Sequence, residues 1–199
     1  MKSLRLATTS SHKLRESREI LAPHGFEVRG LEGLAFDVIE DGATFEANAL
    51  KKAHALAAAT GEPAVADDSG LCVDALGGEP GVHSARYAGA SGEDRDAANR
   101  KKLLAALAQV PDAQRTARFV CALAYATPAG ASWTVRGEVE GVITRKERGA
   151  GGFGYDSLFF LPDFACTAAE LGSAEKHAVS HRGRAWAAFL ARLERADAP

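Results

Sequence analysis

The alternation of apolar and polar residues predicts strands interleaved with helices at the start of the chain. Residues 4–8, LRLAT, form a short apolar run typical of a strand, and residues 26–31, FEVRGL, predict a second strand. Residues 9–25 between them have the spacing of a helix, for which Ser10 or Ser11 supplies the N-cap. A strand, a helix and a strand in this order are typical of the βαβ unit.

The rest of the chain continues this alternation and then changes to longer strands. Two of these, the second with polar and apolar residues in alternation, follow one another closely and predict a long hairpin. We therefore expect an α/β fold with a mixed sheet rather than a purely parallel one. The predicted segments are a helix at 44–61, a strand at 63–68, a helix at 92–110, strands at 116–128 and 132–145, a glycine-rich loop at 148–162, and a closing segment at 173–196 whose latter part is an amphipathic helix.

The amino-acid composition favours some classes of protein and argues against others. With 199 residues, 46% of them hydrophobic, residues 1–199 are expected to form a single domain without a separable linker. The net charge of −2 argues against a broad nucleic-acid surface, which needs a basic excess. The three cysteines form no CxxC pair and predict reduced thiols. We find no signal-peptide stretch and no apolar run of about 18 residues, so we expect a cytoplasmic protein without a membrane segment.

A hydroxyl-rich segment, ATTSSHK at residues 7–13, lies between the first strand and the first helix. Its hydroxyl groups, and the positive charge of Lys13, come where the N–H groups of a helix start are unpaired, which favours binding of phosphate oxygens. The segment lacks the glycines of the Walker pattern. An ordinary serine-capped helix remains an alternative.

Two adjacent acids, Asp67 and Asp68, end the apolar run PAVADD. Within a strand their side chains would point to opposite faces, but at a strand end, where Ser69 and Gly70 allow a turn, both can approach one cleft. One carboxylate can hold a divalent ion, and the other can hold the ion or accept a proton from water. Mg²⁺ is the expected cation if phosphates bind nearby. A turn with solvated acids is the alternative.

The segment GAGGFGYD, residues 149–156, combines glycines with two aromatic rings. Its glycines allow the backbone to approach a flat ligand, Phe153 and Tyr155 offer stacking surfaces, and Asp156 offers a hydrogen-bond acceptor. This pattern predicts a nucleobase site, although a hairpin loop whose aromatic rings fold onto the core fits as well.

Basic side chains gather in EKHAVSHRGRA, residues 175–185. Lys176, His181 and Arg182 are donors just before or within a helix start, and a solvated entry to the last helix is the alternative. Together with the phosphate-binding segment, the acid pair and the glycine–aromatic loop, these residues describe a nucleotide cleft.

Six motifs in order resemble those of the inosine triphosphate pyrophosphatase family over about residues 4–193: TTSSHK, TFEANALKKA, ADDSGL, GVHSARYAG, GGFGYDSLF and SHRGRA. The resemblance implies a long mixed sheet flanked by helices, with two lobes around a central active-site cleft, and a homodimer. It also implies Mg²⁺-dependent hydrolysis of noncanonical purine nucleoside triphosphates (ITP, dITP and XTP) to the monophosphate and diphosphate, which removes them from the nucleotide pool.

The resemblance also implies roles for individual residues. Asp68 resembles the general base and Mg²⁺ ligand, with Asp67 and Glu40 as further metal-associated acids. The predicted substrate contacts are Thr8, Thr9, Ser10, Ser11, His12 and Lys13 in the phosphate-binding loop, Lys52 and Lys176 as cations that neutralise the triphosphate, Ser69, then Phe153, Gly154, Tyr155 and Asp156 at the base, and His181 and Arg182.

Some residues depart from the family pattern, and two other classes of protein are alternatives to this interpretation. Thr9, Ser10 and His12 replace the asparagine- and glycine-containing loop that is usual in the family, and Ala47 stands where many members have a glutamate. A Maf-type nucleotide pyrophosphatase, acting on other bases, and a non-catalytic nucleotide-binding protein are the alternatives. GGFGYD followed by SHR argues against the first, and the acid pair beside a lysine-bearing loop argues against the second.

Overall fold

Parallel and antiparallel strand pairs share one sheet in this protein, whose computed structural model describes residues 2–92 and 94–196. The strands are β1 (Lys2–Ala7), β2 (Phe26–Arg29), β3 (Ala64–Val73), β4 (Thr116–Ala126), β5 (Ser132–Ile143), β6 (Phe159–Leu161) and β7 (Cys166–Thr167). They are hydrogen-bonded in the order β2-β1-β3-β4-β5-β6-β7. β1 pairs in parallel with β2 and β3, whereas β6 pairs antiparallel with β5 and β7. The predicted mixed sheet is confirmed.

Five α-helices accompany these strands in the described part of the chain. They are α1 (Ser11–Leu21), α2 (Phe45–Thr60), α3 (Arg95–Ala106), α4 (Ser173–Val179) and α5 (His181–Ala196). α2 begins at the N-cap Thr44 and ends at Gly61, whose left-handed conformation is typical of a helix C-terminus. Across residues 2–92 and 94–196, no helix is both long and apolar enough to cross a membrane.

The chain divides into two compact units, each assembled from separate segments. The first unit contains Met1–Asp68, Cys121–Gly137 and His181–Pro199, and the second contains Ser69–Val120 and Glu138–Ser180. Strands β3, β4 and β5 contribute residues to both. Some predicted segments include positions that lie outside the described residues. For the single domain predicted over residues 1–199 these positions are Met1, Glu93 and 197–199, and for the helix predicted at 92–110 the position is Glu93.

Strand β3 differs from the prediction because it does not end at Asp68. It continues through Ser69 and Gly70 to Val73, so the predicted turn at this point is wrong. Val73 is fully buried in the core of the second unit, and this burial favours the extended chain. A β-carbon on Gly70 would lie 2.6 Å from the carbonyl oxygen of Gly81, so the strand passes too close to the 81–86 segment for a side chain.

Each unit has its own apolar core. In the first, α5 contributes Trp186 and Phe189 to a cluster that also contains β1 and β3 residues, and the Trp186 indole donates to the Ser17 hydroxyl at 3.1 Å. In the second, Phe119 and Phe159 pack with ring centroids 4.4 Å apart. α1 and α5 are therefore fixed in the first unit by buried contacts on both helices.

Candidate active site

The loop between β1 and α1 places Lys13 in the first helical turn. Ser10 is the N-cap, and its hydroxyl accepts a hydrogen bond from the Lys13 backbone N–H at 3.4 Å. The Thr8 hydroxyl accepts from the Ser10 N–H at 3.1 Å, which ties the end of β1 to the start of α1. Thr9 and Ser11 are exposed, so their hydroxyls face solvent beside the helix start. Of the two predicted N-caps, the structure selects Ser10.

Asp67 is a buried carboxylate between two positive charges. Lys13 Nζ lies 2.6 Å from its Oδ1, and Arg182 Nε donates to its Oδ2 at 2.8 Å. The Cys121 thiol also donates to Oδ2, at 3.3 Å. Burial alone would raise the pKa of Asp67, but the charges of Arg182 and Lys13 outweigh burial and hold this pKa well below its ordinary value. Asp67 is therefore ionised in the folded protein at neutral pH.

A second acid, Glu16 on α1, extends this group of charges. Arg182 Nη1 donates to Glu16 Oε2 at 2.5 Å, and both side chains are buried. Lys13, Asp67, Arg182 and Glu16 thus alternate in sign, and we call these four residues the buried ion chain. Sequence reasoning missed Glu16, although its position three residues after Lys13 places the two on one helix face. Arg182, predicted as a substrate contact, is 1% exposed and binds two protein carboxylates.

Asp68 has a different set of partners. Lys52 Nζ donates to its Oδ1 at 2.8 Å, and Asn48 Nδ2 donates to its Oδ2 at 3.4 Å. Burial raises the pKa of Asp68, and the nearby Lys52 ammonium only partly opposes this rise. The pKa values of the two neighbouring aspartates are therefore shifted in opposite directions, because Asp67 has two cations at hydrogen-bond distance.

Lys52 joins the acid pair to the 40–42 loop. Besides Asp68, its ammonium group contacts the Asp67 carbonyl oxygen at 3.0 Å and Glu40 Oε1 at 3.0 Å. Three acceptors thus match the three N–H groups of Lys52, whose pKa is raised because Asp68 and Glu40 outweigh its burial. Burial likewise opposes ionisation of Glu40, but Lys52 outweighs it and lowers the pKa of this carboxyl.

Asn48, which the sequence analysis did not single out, links the same loop to Asp68. Its Oδ1 accepts from the Gly42 N–H at 2.8 Å while its amide nitrogen faces Asp68. The residue is fully buried. A β-carbon on Gly42 would lie 2.7 Å from Asn48 Oδ1, so glycine is required for this close approach.

In the second unit, the Asp156 carboxylate accepts hydrogen bonds that hold the glycine–aromatic loop, residues 149–156. Its Oδ2 accepts from the Phe153 N–H at 2.9 Å and from Lys176 Nζ at 2.8 Å. Lys176 Nζ also lies 5.2 Å from the centre of the half-buried Phe153 ring, a cation–π distance. Gly152 has a φ of +71°, and a β-carbon there would collide with the Asp156 carboxylate. These contacts fix the backbone of Phe153 and place a cation on its ring.

Tyr155 is placed differently from Phe153. Its ring belongs to the core of the second unit, and its hydroxyl donates to the Ser84 carbonyl oxygen at 2.9 Å. Of the two rings predicted as stacking surfaces, Phe153 is the more accessible. Lys176 lies within α4, His181 is the buried first residue of α5, and Ser69 is a half-buried residue of β3.

The acids available to a metal are few. Over the described ranges 2–92 and 94–196, no group of three or more histidine, cysteine, aspartate or glutamate side chains is arranged to hold a metal ion. The predicted acids Glu40, Asp67 and Asp68 thus do not form such a group. Glu40 and Asp68 share Lys52, while Asp67 is bound by Lys13 and Arg182.

Comparison with known proteins shows which family and which proteins this chain resembles. The model of the Ham1 family matches residues 4–192. The chain is 52% identical over 192 residues to the dITP/XTP pyrophosphatase of Symbiobacterium thermophilum, covering 96% of this chain and 95% of that protein. The Ham1 protein of Staphylococcus aureus has a similar structure, with a TM-score of 0.85 and 39% identity over 98% of this chain and 100% of that one. The dITP/XTP pyrophosphatase of Mycobacterium abscessus gives a TM-score of 0.76 and 47% identity, over 94% and 98%.

Proposed function

The chain belongs to the Ham1 family, and we propose that it hydrolyses the noncanonical purine nucleoside triphosphates ITP, dITP and XTP to the monophosphate and diphosphate. The family resemblance predicted from the sequence motifs is confirmed. The names of the similar proteins support a nucleoside triphosphate pyrophosphatase. The observation that carries the proposal is Asp68, a buried carboxylate of raised pKa held on both oxygens by Lys52 and Asn48.

We assign Asp68 as the general base. Its two hydrogen bonds fix the direction of its carboxylate, and in the metal-free protein its raised pKa makes it a better proton acceptor. Water that loses its proton to Asp68 attacks the α-phosphorus, the α–β phosphoanhydride bond breaks, and diphosphate leaves. Asp67 is unsuited to this role because its pKa is lowered and its oxygens already face Lys13 and Arg182. We assign Asp67 instead to holding Lys13 beside the loop.

The loop before α1 supplies the phosphate contacts in this proposal. Thr9 and Ser11 present hydroxyls to solvent at the start of α1, where backbone N–H groups and the helix dipole favour anions. The Lys13 side chain is 17% exposed and can contact a phosphate oxygen from its place beside Asp67. Lys52 has its three N–H groups directed at protein oxygens, so we assign it to orienting the acids.

We propose Mg²⁺ as the cofactor, held by Asp68 and Glu40. Their donors are carboxylate oxygens, which Mg²⁺ prefers, and a pair of carboxylates suits an ion that takes its other ligands from water and phosphate. When bound, Mg²⁺ would neutralise charge on the triphosphate oxygens. The Lys52 ammonium contacts both carboxylates, at 3.0 Å and 2.8 Å, and fixes their direction.

The glycine–aromatic loop supplies the purine contacts in this proposal. Phe153 offers its ring for stacking, and the Tyr155 N–H, which follows the N–H groups held by Asp156 and Asp96, offers a donor to a 6-oxo group. Adenine carries an amino group at that position, which would leave such a donor unpaired at a cost of about 1–3 kcal/mol. The loop therefore favours hypoxanthine and xanthine over adenine.

One assay tests the activity and its rivals together. Purified protein is incubated with ITP, XTP, dTTP or ATP and Mg²⁺, and released diphosphate is measured. We expect diphosphate from ITP and XTP, and little from ATP. Preferential hydrolysis of dTTP would support the Maf-type alternative, and binding of ITP without diphosphate release would support a non-catalytic nucleotide-binding protein.

Replacement of Asp68 tests the assigned base. Asp68→Asn keeps an oxygen acceptor for Lys52 but removes the proton acceptor, so we expect ITP turnover to fall about 10²–10⁴-fold with folding intact. Asp41→Asn is the matched control, because Asp41 is an exposed acid of the neighbouring loop that pairs with Lys51. Near-wild-type turnover of Asp68→Asn would show that Asp68 is not the base.

The remaining expectations are the homodimer and the cytoplasmic location. We propose that the protein is a homodimer, and light scattering of the eluted protein measures its mass directly. A monomer mass, near the 20.9 kDa of one chain, would contradict this proposal.

A further inference from the structure

Helix α3 holds one residue of the glycine–aromatic loop by both of its backbone polar groups. The Gly154 N–H donates to Asp96 Oδ2 at 2.9 Å, and the Gly154 carbonyl oxygen accepts from Arg100 Nη1 at 2.9 Å. Asp96 and Arg100 are four residues apart in α3, so they lie on one face of the helix. We call these two side chains the Gly154 clamp.

Arg100 also reaches the segment that leads into the loop. Its Nε lies 3.0 Å from Glu147 Oε2, and the Ser157 hydroxyl donates to the same oxygen at 3.0 Å. Glu147 and Ser157 stand on the two sides of residues 149–156, so this carboxylate ties both flanks of the loop to Arg100. All of these residues belong to the second unit.

The loop needs such ties because its glycines give it little conformational preference of its own. Gly152 and Gly154 flank Phe153 and have φ values of +71° and +62°, a region that glycine enters without strain. A glycine loses more conformational entropy on ordering than other residues, so fixed geometry here depends on outside contacts. Asp156 fixes the Phe153 N–H on one side, and the Gly154 clamp fixes the next residue on the other.

We propose that Asp96 and Arg100 are positioning residues for purine selection: by holding the Gly154 backbone they keep the Phe153 ring and the Tyr155 N–H, the next donor along the loop, aimed at the base. The inference rests on the proposed function of the glycine–aromatic loop. Neither side chain is assigned to substrate contact, and the effect acts through Gly154. A clamp that only stabilised the fold would change the unfolding temperature without changing the choice among bases.

The first test measures the clamp itself, without substrate. Asp96→Ala removes the acceptor for the Gly154 N–H, so we expect hydrogen exchange at this amide to rise about tenfold in the unliganded protein. Asp96→Asn keeps an oxygen acceptor and should exchange at close to the wild-type rate. Lys101→Ala, an exposed change on the same helix, is the control and should leave this amide unchanged.

The second test measures purine selection. For Asp96→Ala and Arg100→Met we expect the KM for ITP to rise about tenfold, the ratio of kcat/KM for ITP to that for ATP to fall about tenfold, and kcat to change by less than about twofold. Asp96→Asn should restore the KM. A fall in kcat with an unchanged ITP-to-ATP ratio would show a structural role only and overturn the inference.

The outcomes separate the inference from the function on which it rests. If the wild-type protein hydrolyses ITP but the variants keep its KM and its ITP-to-ATP ratio, only the clamp's role in selection is overturned. If the wild-type protein does not hydrolyse ITP, the proposed function fails, and purine selection by the clamp fails with it. Unchanged exchange at Gly154 in Asp96→Ala would overturn the clamp whatever the activity.

Discussion

Glu16 ends the buried ion chain, and its replacement by glutamine tests whether that chain is held together by charge. Glutamine has nearly the same shape and keeps an oxygen that can accept from Arg182, but it removes the negative charge. Arg182 is only 1% exposed, so water has no access to replace the lost charge. We therefore expect Glu16→Gln to lower the free energy of unfolding.

The size of the expected loss in unfolding free energy depends on which partners Arg182 keeps in Glu16→Gln. Removing one partner of a buried ion pair outright costs about 3–5 kcal/mol. Here Arg182 keeps Asp67 at 2.8 Å, and the glutamine oxygen keeps a neutral hydrogen bond. The loss then reduces to the difference between a charge-assisted and a neutral hydrogen bond, about 1–2 kcal/mol. For a chain of this size that corresponds to about 2–8 °C in Tm.

The assay is urea unfolding followed by tryptophan fluorescence. Both tryptophans, Trp133 and Trp186, lie in the first unit together with Glu16, so the signal reports on the unit that is changed. Glu19→Gln is the matched control, since Glu19 is on the same helix but exposed, with its Oε1 3.9 Å from Arg15 Nε. We expect the control to change stability by less than about 0.5 kcal/mol.

Two results would refute this reasoning. One is a Glu16→Gln protein that unfolds at the wild-type urea concentration, which would show that the charge of Glu16 contributes nothing. The other comes from a double-mutant cycle with Asp67→Asn. Because Glu16 and Asp67 share Arg182, their effects should deviate from additivity by about 0.5–3 kcal/mol, and simple addition would contradict the ion chain.

Three further predictions concern single side chains. Gly70→Ala would bring a β-carbon to 2.9 Å from that of Ser84, so we expect a loss of about 1–3 kcal/mol in thermal unfolding, and an unchanged Tm would argue against the close approach. Burial raises the pKa of Tyr155 above 10.0, so its neutral form stabilises the folded state below that pH and this stabilisation is lost as pH rises further. Tyr155→Phe should therefore lose less stability than wild type between about pH 8 and pH 11, and equal losses in urea unfolding would contradict this. Asn48→Ala should lower stability by about 1–3 kcal/mol and lower kcat on ITP with little change in KM, because Asp68 loses a fixed donor; wild-type values for both would contradict the link.

Much of the fold follows from local pattern. The order of strands and helices, the serine cap of α1 and the mixed sheet were predictable, because each depends on the spacing of apolar residues and on capping chemistry within a few positions. The continuation of β3 past Asp68 was not. Ser69-Gly70 is typical of a turn, and what keeps the chain extended is the burial of Val73 and the hydrogen bond from the Leu71 N–H to the Ser84 hydroxyl, 13 residues away in sequence.

The candidate site also has features that were predictable from the sequence and features that were not. Lys13, Asp68 and Asp156 stand in short motifs whose chemistry can be read from neighbouring residues. Their partners cannot, because the contacts join distant parts of the chain: Arg182 is 115 residues from Asp67, and Asn48 is 20 residues from Asp68. Such pairings set which aspartate stays ionised and which gains a raised pKa, so the roles of two adjacent acids depended on the tertiary structure.

The interleaving of segments has a consequence during synthesis of the chain. Asp67 leaves the ribosome 115 residues ahead of Arg182, the partner of its Oδ2. At about 5–20 residues per second, the carboxylate waits roughly 6–23 s before that guanidinium exists. Lys13 has already been made by then, so the nascent first unit can assemble around a lysine–aspartate pair. The core of this unit can close only after α5 has emerged to deliver both Arg182 and Trp186.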